Sequence, residues 1–172
     1  MKVHCIYATV EGQTGKIVNF IADRVRARGD EIALFDADEA DTIAFDGVDA
    51  AILAASVHQR RHPRTFEAFL SAAGKELAGL DTMLISVSLS AAFPEGLEEA
   101  GEYVTEMKMR TGFEPDRELL VPGAVRNNHY DYFAMQVIRH VVLRDRPYDA
   151  GVADYEFTDW DVLAAAVDSF LS

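Results

Sequence analysis

The stretch VHCIYATVEGQT, residues 3 to 14, decides the fold of this chain. Its first half, Val3 to Ala8, is a run of apolar residues typical of a buried β-strand. Its second half precedes a segment in which Ile17, Ile21 and Val25 recur at helical spacing. A strand–turn–helix unit of this kind brings hydroxyls, backbone N–H groups and the positive end of a helix dipole together. We predict an anion site in this turn, and a turn without a ligand is the alternative. The predicted site comprises Thr9, Val10, Glu11, Gly12, Gln13 and Thr14.

Strands and helices alternate along the rest of the chain. After the first strand, the pattern predicts strands at 31 to 35, 50 to 55, 82 to 89 and from 118, with helices at 13 to 29, 63 to 78 and 94 to 112. The last helix begins at 158, with Thr158 as its N-cap and Asp161 in the capping-box position. This alternation predicts the α/β class and one domain, 1–172, built on a doubly wound five-stranded parallel sheet of order 2-1-3-4-5. A barrel needs eight such units.

An insertion, at about 126–150, interrupts this rhythm at the fifth strand. It contains a predicted helix from about 130 to 144, followed by a possible return strand at 152 to 157. Residues 119 to 148 carry four Arg against two Asp, which makes this segment +2 in a chain of net charge −13. A basic amphipathic helix can lie on an anionic membrane, so we expect peripheral membrane contact through 130–146. A helix packed on the edge of the sheet is the alternative.

Composition excludes several classes of function. The net charge of −13 argues against nucleic acid as a partner. The single cysteine, Cys5, allows neither an internal disulfide nor a cysteine metal cluster, and we expect no metal site. No apolar run reaches the roughly 20 residues needed to span a bilayer. Because the first strand follows Met1 without a signal-peptide pattern, we expect a cytoplasmic protein.

Several motifs carry a family resemblance. The spacing Thr9-x-x-Gly12-x-Thr14 after a first strand resembles the flavin mononucleotide (FMN) phosphate loop of flavodoxins. The segments EGQT (11–14), ASV (55–57), SVSL (86–89), PGAVR (122–126) and FTDW (157–160) occur in the order seen in flavodoxin-like, quinone-dependent protoporphyrinogen oxidases. The resemblance covers about residues 2 to 171. It implies a flavodoxin-like fold with FMN as the cofactor.

The same resemblance implies an activity. It is the oxidation of protoporphyrinogen IX to protoporphyrin IX in haem synthesis, with a membrane quinone as the electron acceptor. FMN carries the redox chemistry, so no side chain is expected to be catalytic. The acidic charge leaves a flavodoxin-type electron carrier as the alternative. A third possibility is a domain that has lost its flavin and serves in assembly or regulation.

Ligands of doubly wound folds bind at the carboxyl ends of the strands. This rule places Ser56, Val57 and His58 on one side of the flavin ring, and Ser88, Leu89 and Ser90 on the other. His58 either covers a face of the ring or is a solvated loop residue. Arg60, Arg61 and Arg126 are the cations predicted to pair with the carboxylates of the substrate.

Overall fold

The protein, seen here as a computed structural model, is described for residues 1–39, 42–126 and 154–172. Its main sheet has five parallel strands in the order β2-β1-β3-β4-β5, which confirms the predicted topology. In chain order the elements are β1 (Lys2–Ala8), α1 (Gln13–Ala27), β2 (Glu31–Asp36), β3 (Ala50–Ser56), α2 (Arg64–Ala72), α3 (Gly74–Leu77), β4 (Asp81–Ser88), α4 (Leu97–Thr111), β5 (Arg117–Pro122), β6 (Ala124–Arg126), β7 (Asp154–Glu156) and α5 (Trp160–Phe170). Two single turns of 3-10 helix, Ser90–Ala92 and Pro94–Gly96, connect β4 to α4.

The core has two layers, one on each face of the sheet. The central strand β3 is buried on both sides, because Ile52 faces one layer and Leu53 faces the other. Helices α1 and α5 cover the first face, where Ile17 and Leu163 are buried. Helices α2 and α4 cover the second face with residues such as Phe66 and Met107. This double cover explains why the strands lack polar alternation in the sequence.

The helix predicted over 63–78 is divided in two. Pro63 is the N-cap of α2, and Ala73, with φ −91° and ψ 9°, separates α2 from the four-residue α3. Pro94 opens a 3-10 turn, and α4 itself begins at Leu97. The pattern of apolar residues therefore located these helices but not their internal breaks.

The predicted capping of the last helix was wrong. Asp159 is the N-cap of α5, and its carboxylate accepts a hydrogen bond of 3.0 Å from the backbone N–H of Val162. Thr158 is buried instead, and its hydroxyl donates to the carbonyl of Pro122 at 2.7 Å. The Thr158 hydroxyl accepts from Gln13 Nε2 and donates to Pro122 O, so its hydrogen bonds go to these groups and not to the N–H groups of α5.

A short antiparallel pair follows the main sheet. Strands β6 and β7 pair Ala124 with Glu156 and Arg126 with Asp154, so a return strand does form within the predicted 152–157. The predicted helix at 130–144 and the proposed membrane contact at 130–146 lie outside the described residues. Within those that are described, no helix is long and apolar enough to cross a membrane.

Candidate functional site

A cavity of about 400 Å³ opens at the carboxyl ends of β1, β3 and β4. Of the predicted cofactor residues, all except Gly12 line it. The lining also contains residues that the sequence did not single out for this site. The complete lining is Thr9, Val10, Glu11, Gln13, Thr14, Ser56, Val57, His58, Gln59, Val87, Ser88, Leu89, Ser90, Tyr103, Gly123 and Ala124.

The turn between β1 and α1 forms one end of the cavity. Gly12 adopts φ +89°, a left-handed conformation that favours glycine, and its N–H donates to Thr9 Oγ1 at 2.9 Å. No side chain caps α1, and its first turn has no acidic residue. The first-turn N–H groups of a helix lack partners within the helix, and the dipole is positive there. The turn is therefore suited to an anion.

Two hydroxyls at the cavity are buried without a hydrogen-bond partner. They are Thr14 Oγ1, at the start of α1, and Ser56 Oγ, at the end of β3. Thr14 is fully buried, and such an unpartnered group costs about 1–3 kcal/mol. Both residues line the cavity, where a bound ligand can supply the missing acceptor. These hydroxyls are the structural evidence that the site is built for a polar ligand.

The turn between β1 and α1 is tied to the end of the edge strand β5. Gln13 Nε2 donates to Thr158 Oγ1 at 2.9 Å, and Thr158 in turn bonds to Pro122. The amide of Gln13 also interacts with the carboxylate of Glu156. Its side chain therefore belongs to the frame around the cavity, although the residue was predicted to offer its amide to the ligand.

The loop after β3 forms one side wall. It is a tight turn, in which the backbone N–H of His58 donates to Arg61 O at 2.9 Å and that of Arg61 donates to His58 O at 3.1 Å. The central residues, Gln59 and Arg60, have φ values of 49° and 64°. The imidazole of His58 is half exposed, with Nδ1 4.0 Å from Glu11 Oε1. That His58 covers a flavin ring stays a prediction.

The loop after β4 forms the opposite wall. Ser88 Oγ accepts from the backbone N–H of Ala91 at 3.2 Å, and Ser90 Oγ lies 3.3 Å from the hydroxyl of Tyr103 on α4. A Cβ at Gly96 would lie 2.2 Å from the carbonyl oxygen of Ser90, so only glycine fits beside this loop. The close approach fixes Ser90 at the cavity wall.

Comparison with known proteins identifies the family. A family model described as a flavodoxin domain matches residues 5–147, most of the chain. The chain belongs to the flavodoxin domain family. Protoporphyrinogen IX dehydrogenase (quinone) of Escherichia coli strain K12 is 21% identical over 165 residues, which cover 95% of this chain and 91% of that relative.

Solved flavodoxin structures share the fold. Oxidised Flavodoxin 1 from Bacillus cereus superimposes with a TM-score of 0.59 at 19% identity, covering 99% of this chain and 97% of the other. The Fusobacterium nucleatum flavodoxin bound to flavin mononucleotide gives a TM-score of 0.53 at 12% identity, with 99% and 94% covered. At these identities the likeness shows the fold alone.

Of the predicted substrate cations of this flavodoxin domain, Arg60 and Arg61 point to different places. Arg60 reaches the cavity rim, where its guanidinium carbon lies 5.3 Å from the centre of the Tyr103 ring. Arg61 points elsewhere: it donates to the buried carboxylate of Glu67 at 2.8 Å, and it lines a separate cleft that Arg110 and Arg64 share. Arg126 lies on β6, and nothing is described of its side chain.

Sequence reasoning missed five lining residues of the flavodoxin cavity: Gln59, Val87, Tyr103, Gly123 and Ala124. Tyr103 carried no signal, because a tyrosine among apolar residues at helical spacing is typical of core packing. Gly123 and Ala124 lie within the PGAVR motif, which was quoted for the family resemblance only. Their contribution follows from the backbone, since Gly123 N donates to Ser88 O at 3.0 Å.

Proposed function

We propose that this chain binds FMN in the cavity and uses it to oxidise protoporphyrinogen IX, with a quinone as the electron acceptor. The observation that carries the cofactor assignment is the fully buried, unpartnered hydroxyl of Thr14 at the start of α1. A phosphate at that position gains a hydroxyl donor, backbone N–H groups and a favourable helix dipole at once. The flavodoxin of similar fold whose structure is described as bound to flavin mononucleotide supports this choice.

The choice of substrate is supported by a relative and by the sequence motifs, and not by the cavity. The relative from Escherichia coli is named protoporphyrinogen IX dehydrogenase (quinone) and aligns over 95% of this chain. The motifs that carry this resemblance occur in the same order from the phosphate turn to the last helix. Because one fold hosts many activities, these ordered motifs and the relative, and not the fold, support this substrate.

In this proposal the residues of the chain bind the cofactor and orient it. The turn from Thr9 to Thr14 would hold the phosphate, and Ser56 Oγ would donate to a polar group of the cofactor. The loops after β3 and β4 would line the two sides of the ring system and exclude water from it. Bound FMN would supply the two-electron redox chemistry. Three such cycles, each reducing one quinone, account for the six electrons removed from protoporphyrinogen IX. No side chain is assigned as a catalytic acid or base.

Anaerobic turnover tests this proposal. FMN-loaded protein is mixed with protoporphyrinogen IX and a soluble naphthoquinone, and the fluorescence of protoporphyrin IX is followed. We expect product only when protein, FMN and quinone are all present. Samples without quinone, and samples of apoprotein, measure background oxidation. Flavin-loaded protein that forms no product above this background contradicts the proposed activity.

The second candidate is an electron carrier, and the acidic surface favours it. The chain carries a net charge of −13, and α4 exposes Glu98, Glu102 and Glu106 near the cavity wall formed by Tyr103. Such a surface suits docking onto a basic redox protein. Rapid electron exchange with a basic cytochrome, combined with no turnover of protoporphyrinogen, would select the carrier.

A further inference from the structure

The guanidinium of Arg60 bridges the two side walls of the cavity. It belongs to the turn after β3, next to Gln59, and it lies 5.3 Å from the ring centre of Tyr103 on the opposite wall. Its Nη1 donates to Glu99 Oε1, and the other oxygen of Glu99 accepts from Ser90 Oγ at 3.3 Å. Gln59, Tyr103 and Ser90 all line the cavity. The cation therefore sits at the rim.

The backbone that presents Arg60 is strained. Gln59 and Arg60 occupy the left-handed region, with φ of 49° and 64°, although neither is a glycine. Such residues cost free energy, persist only where surrounding contacts hold them, and concentrate at ligand-binding sites. Here the two hydrogen bonds between His58 and Arg61 hold the turn. The turn presents the Arg60 side chain to Glu99 and Tyr103 of α4.

The present partners of Arg60 are easily exchanged. The side chains of Arg60, Glu99 and Glu102 are 58%, 40% and 56% exposed. Ion pairs at such exposure contribute little, because water solvates the separated charges well. A ligand carboxylate can therefore replace Glu99 and accept two parallel hydrogen bonds from the guanidinium. The Tyr103 ring supports the cation in either arrangement.

Other cations of the described ranges are less well placed for this role. Among the described side chains, no Lys or Arg lines the cavity itself. Arg61 is held by Glu67 in the separate cleft, and Lys16 pairs with Glu156 at 2.5 Å. Of the Lys and Arg side chains that the structure describes, Arg60 is therefore the one best placed at the rim to meet a carboxylate that enters beside the cofactor.

We propose that Arg60 recognises a carboxylate of the ligand that binds next to the cofactor, and that Glu99 holds the guanidinium in place and competes with that carboxylate. This inference rests on the proposed function and adds the specificity residue and the feature of the ligand that it recognises: a carboxylate at the edge of a macrocycle. It also predicts opposite effects from neutralising the two partners of one contact.

Equilibrium binding of a porphyrin tests the assignment without turnover. The probes are protoporphyrin IX and its dimethyl ester, which lacks both charges, and the Kd of each for FMN-loaded protein is measured by fluorescence anisotropy. Arg60→Gln should weaken binding of the free acid about tenfold or more, with Arg60→Lys between it and wild type. Glu99→Gln should tighten it by about two- to fivefold. The ester should bind all variants alike.

Two charge-matched controls isolate the contact. Arg64→Gln and Glu98→Gln make the same charge changes at exposed residues that do not line the cavity, and they should leave both Kd values unchanged. Equal shifts in the controls would mean that net charge alone attracts the porphyrin, which overturns the role of Arg60. A weaker Kd for FMN in Arg60→Gln, with porphyrin binding unchanged, would place Arg60 on the cofactor and also overturn it.

The two proposals fail in different ways. Wild-type protein that oxidises protoporphyrinogen, together with Arg60 and Glu99 variants that bind the free acid like wild type, overturns the Arg60 assignment alone. Wild-type protein that neither turns over protoporphyrinogen nor binds protoporphyrin IX overturns the proposed function and this inference with it.

Discussion

Two buried polar regions on either side of the β3–α2 loop differ in how their groups are satisfied. In the cavity, Thr14 Oγ1 and Ser56 Oγ are buried without a partner. In the cleft behind the loop, the buried carboxylate of Glu67 accepts hydrogen bonds from both Arg61 and Arg110, the shortest being 2.8 and 2.7 Å. The first region is incomplete within the chain, whereas the second is complete. The comparison indicates that the first awaits a ligand and the second stabilises the fold.

A buried polar atom without a hydrogen-bond partner does not by itself indicate a ligand site. His4 Nδ1 and His62 Nδ1 are also buried without a partner, yet neither residue lines the cavity. A neutral imidazole keeps one nitrogen unprotonated, and burial without a donor favours that neutral form. The unpartnered hydroxyls are informative because they coincide with a cavity.

The largest expected effect is a loss of folding stability at low pH, caused by His62. Burial lowers the pKa of His62 from 6.5 to about 4, and Glu67 only partly opposes this. The unfolded chain binds a proton below about pH 6.5 while the folded chain does not, so stability falls between pH 6.5 and about 4. The loss from this group is about 3 kcal/mol, an upper value, at 1.36 kcal/mol per pKa unit. Urea unfolding across this pH range measures it.

The matched variants for this prediction are His62→Gln and His58→Gln. The first should flatten the pH dependence between 6.5 and 4, since it removes the titrating group and keeps a partner for Ser86 Oγ, now 2.9 Å from His62 Nε2. The second changes a half-exposed imidazole and should keep the slope. Identical slopes for wild type and His62→Gln would contradict a buried neutral His62.

The second-largest effect on stability is expected at the cluster in which Arg61 and Arg110 bind the buried carboxylate of Glu67. Arg110→Ala leaves the Glu67 carboxylate, 5% exposed, with Arg61 as its remaining cation. We expect a loss of about 2–3 kcal/mol in the free energy of unfolding, because a buried charge loses charged hydrogen bonds. FMN affinity should not change. Arg64→Ala, at an exposed position of the same cleft, is the control and should cost less than about 0.5 kcal/mol.

Much of the fold could be predicted from the sequence. Apolar runs at 50 to 55 and 82 to 89 predicted buried strands, and the alternation of five strands with helices predicted the sheet order. The cap of α5 could not be predicted, because two residues in a row, Thr158 and Asp159, are both good N-caps. The choice depends on Gln13 and Pro122, both distant in sequence, which form the hydrogen bonds of the Thr158 hydroxyl.

The parts of the candidate site that neighbouring residues in the sequence form could be predicted. The turn from Thr9 to Thr14 and the strand ends at Ser56 and Ser88 follow from spacing and from the rule for doubly wound sheets. Tyr103 and the partner of Arg61 depend on how helices pack against loops. Arg60 and Arg61 are neighbours of equal chemistry, yet the left-handed turn sends one to the cavity rim and the other to Glu67.

Thr14→Val should act in opposite directions on the stability of the apoprotein and on its affinity for FMN. Valine has the same shape without the hydroxyl, so apoprotein should gain about 1 kcal/mol when the unpartnered group is removed. FMN affinity should fall about tenfold or more, as a hydrogen bond to a charged phosphate is lost. Urea unfolding of apoprotein and flavin fluorescence titration measure the two. Loss of stability with unchanged affinity would place the phosphate elsewhere.

The smallest effect is expected at Ser56. Its hydroxyl is buried and unpartnered like that of Thr14, but it lies at the end of β3 and not at a helix N-terminus, where the helix dipole favours an anion. Ser56→Ala should therefore lose only a neutral hydrogen bond to the cofactor, about 0.5–1.5 kcal/mol, or a two- to tenfold weaker Kd for FMN. Ser56→Ala apoprotein should be as stable as wild-type apoprotein or slightly more stable.

Riboflavin, which lacks the phosphate, distinguishes the roles of the two hydroxyls. Ser56→Ala should weaken the binding of riboflavin and of FMN equally, whereas Thr14→Val should weaken the binding of FMN alone. If Ser56→Ala spares riboflavin, then Ser56 also binds the phosphate, and the two hydroxyls form one anion site.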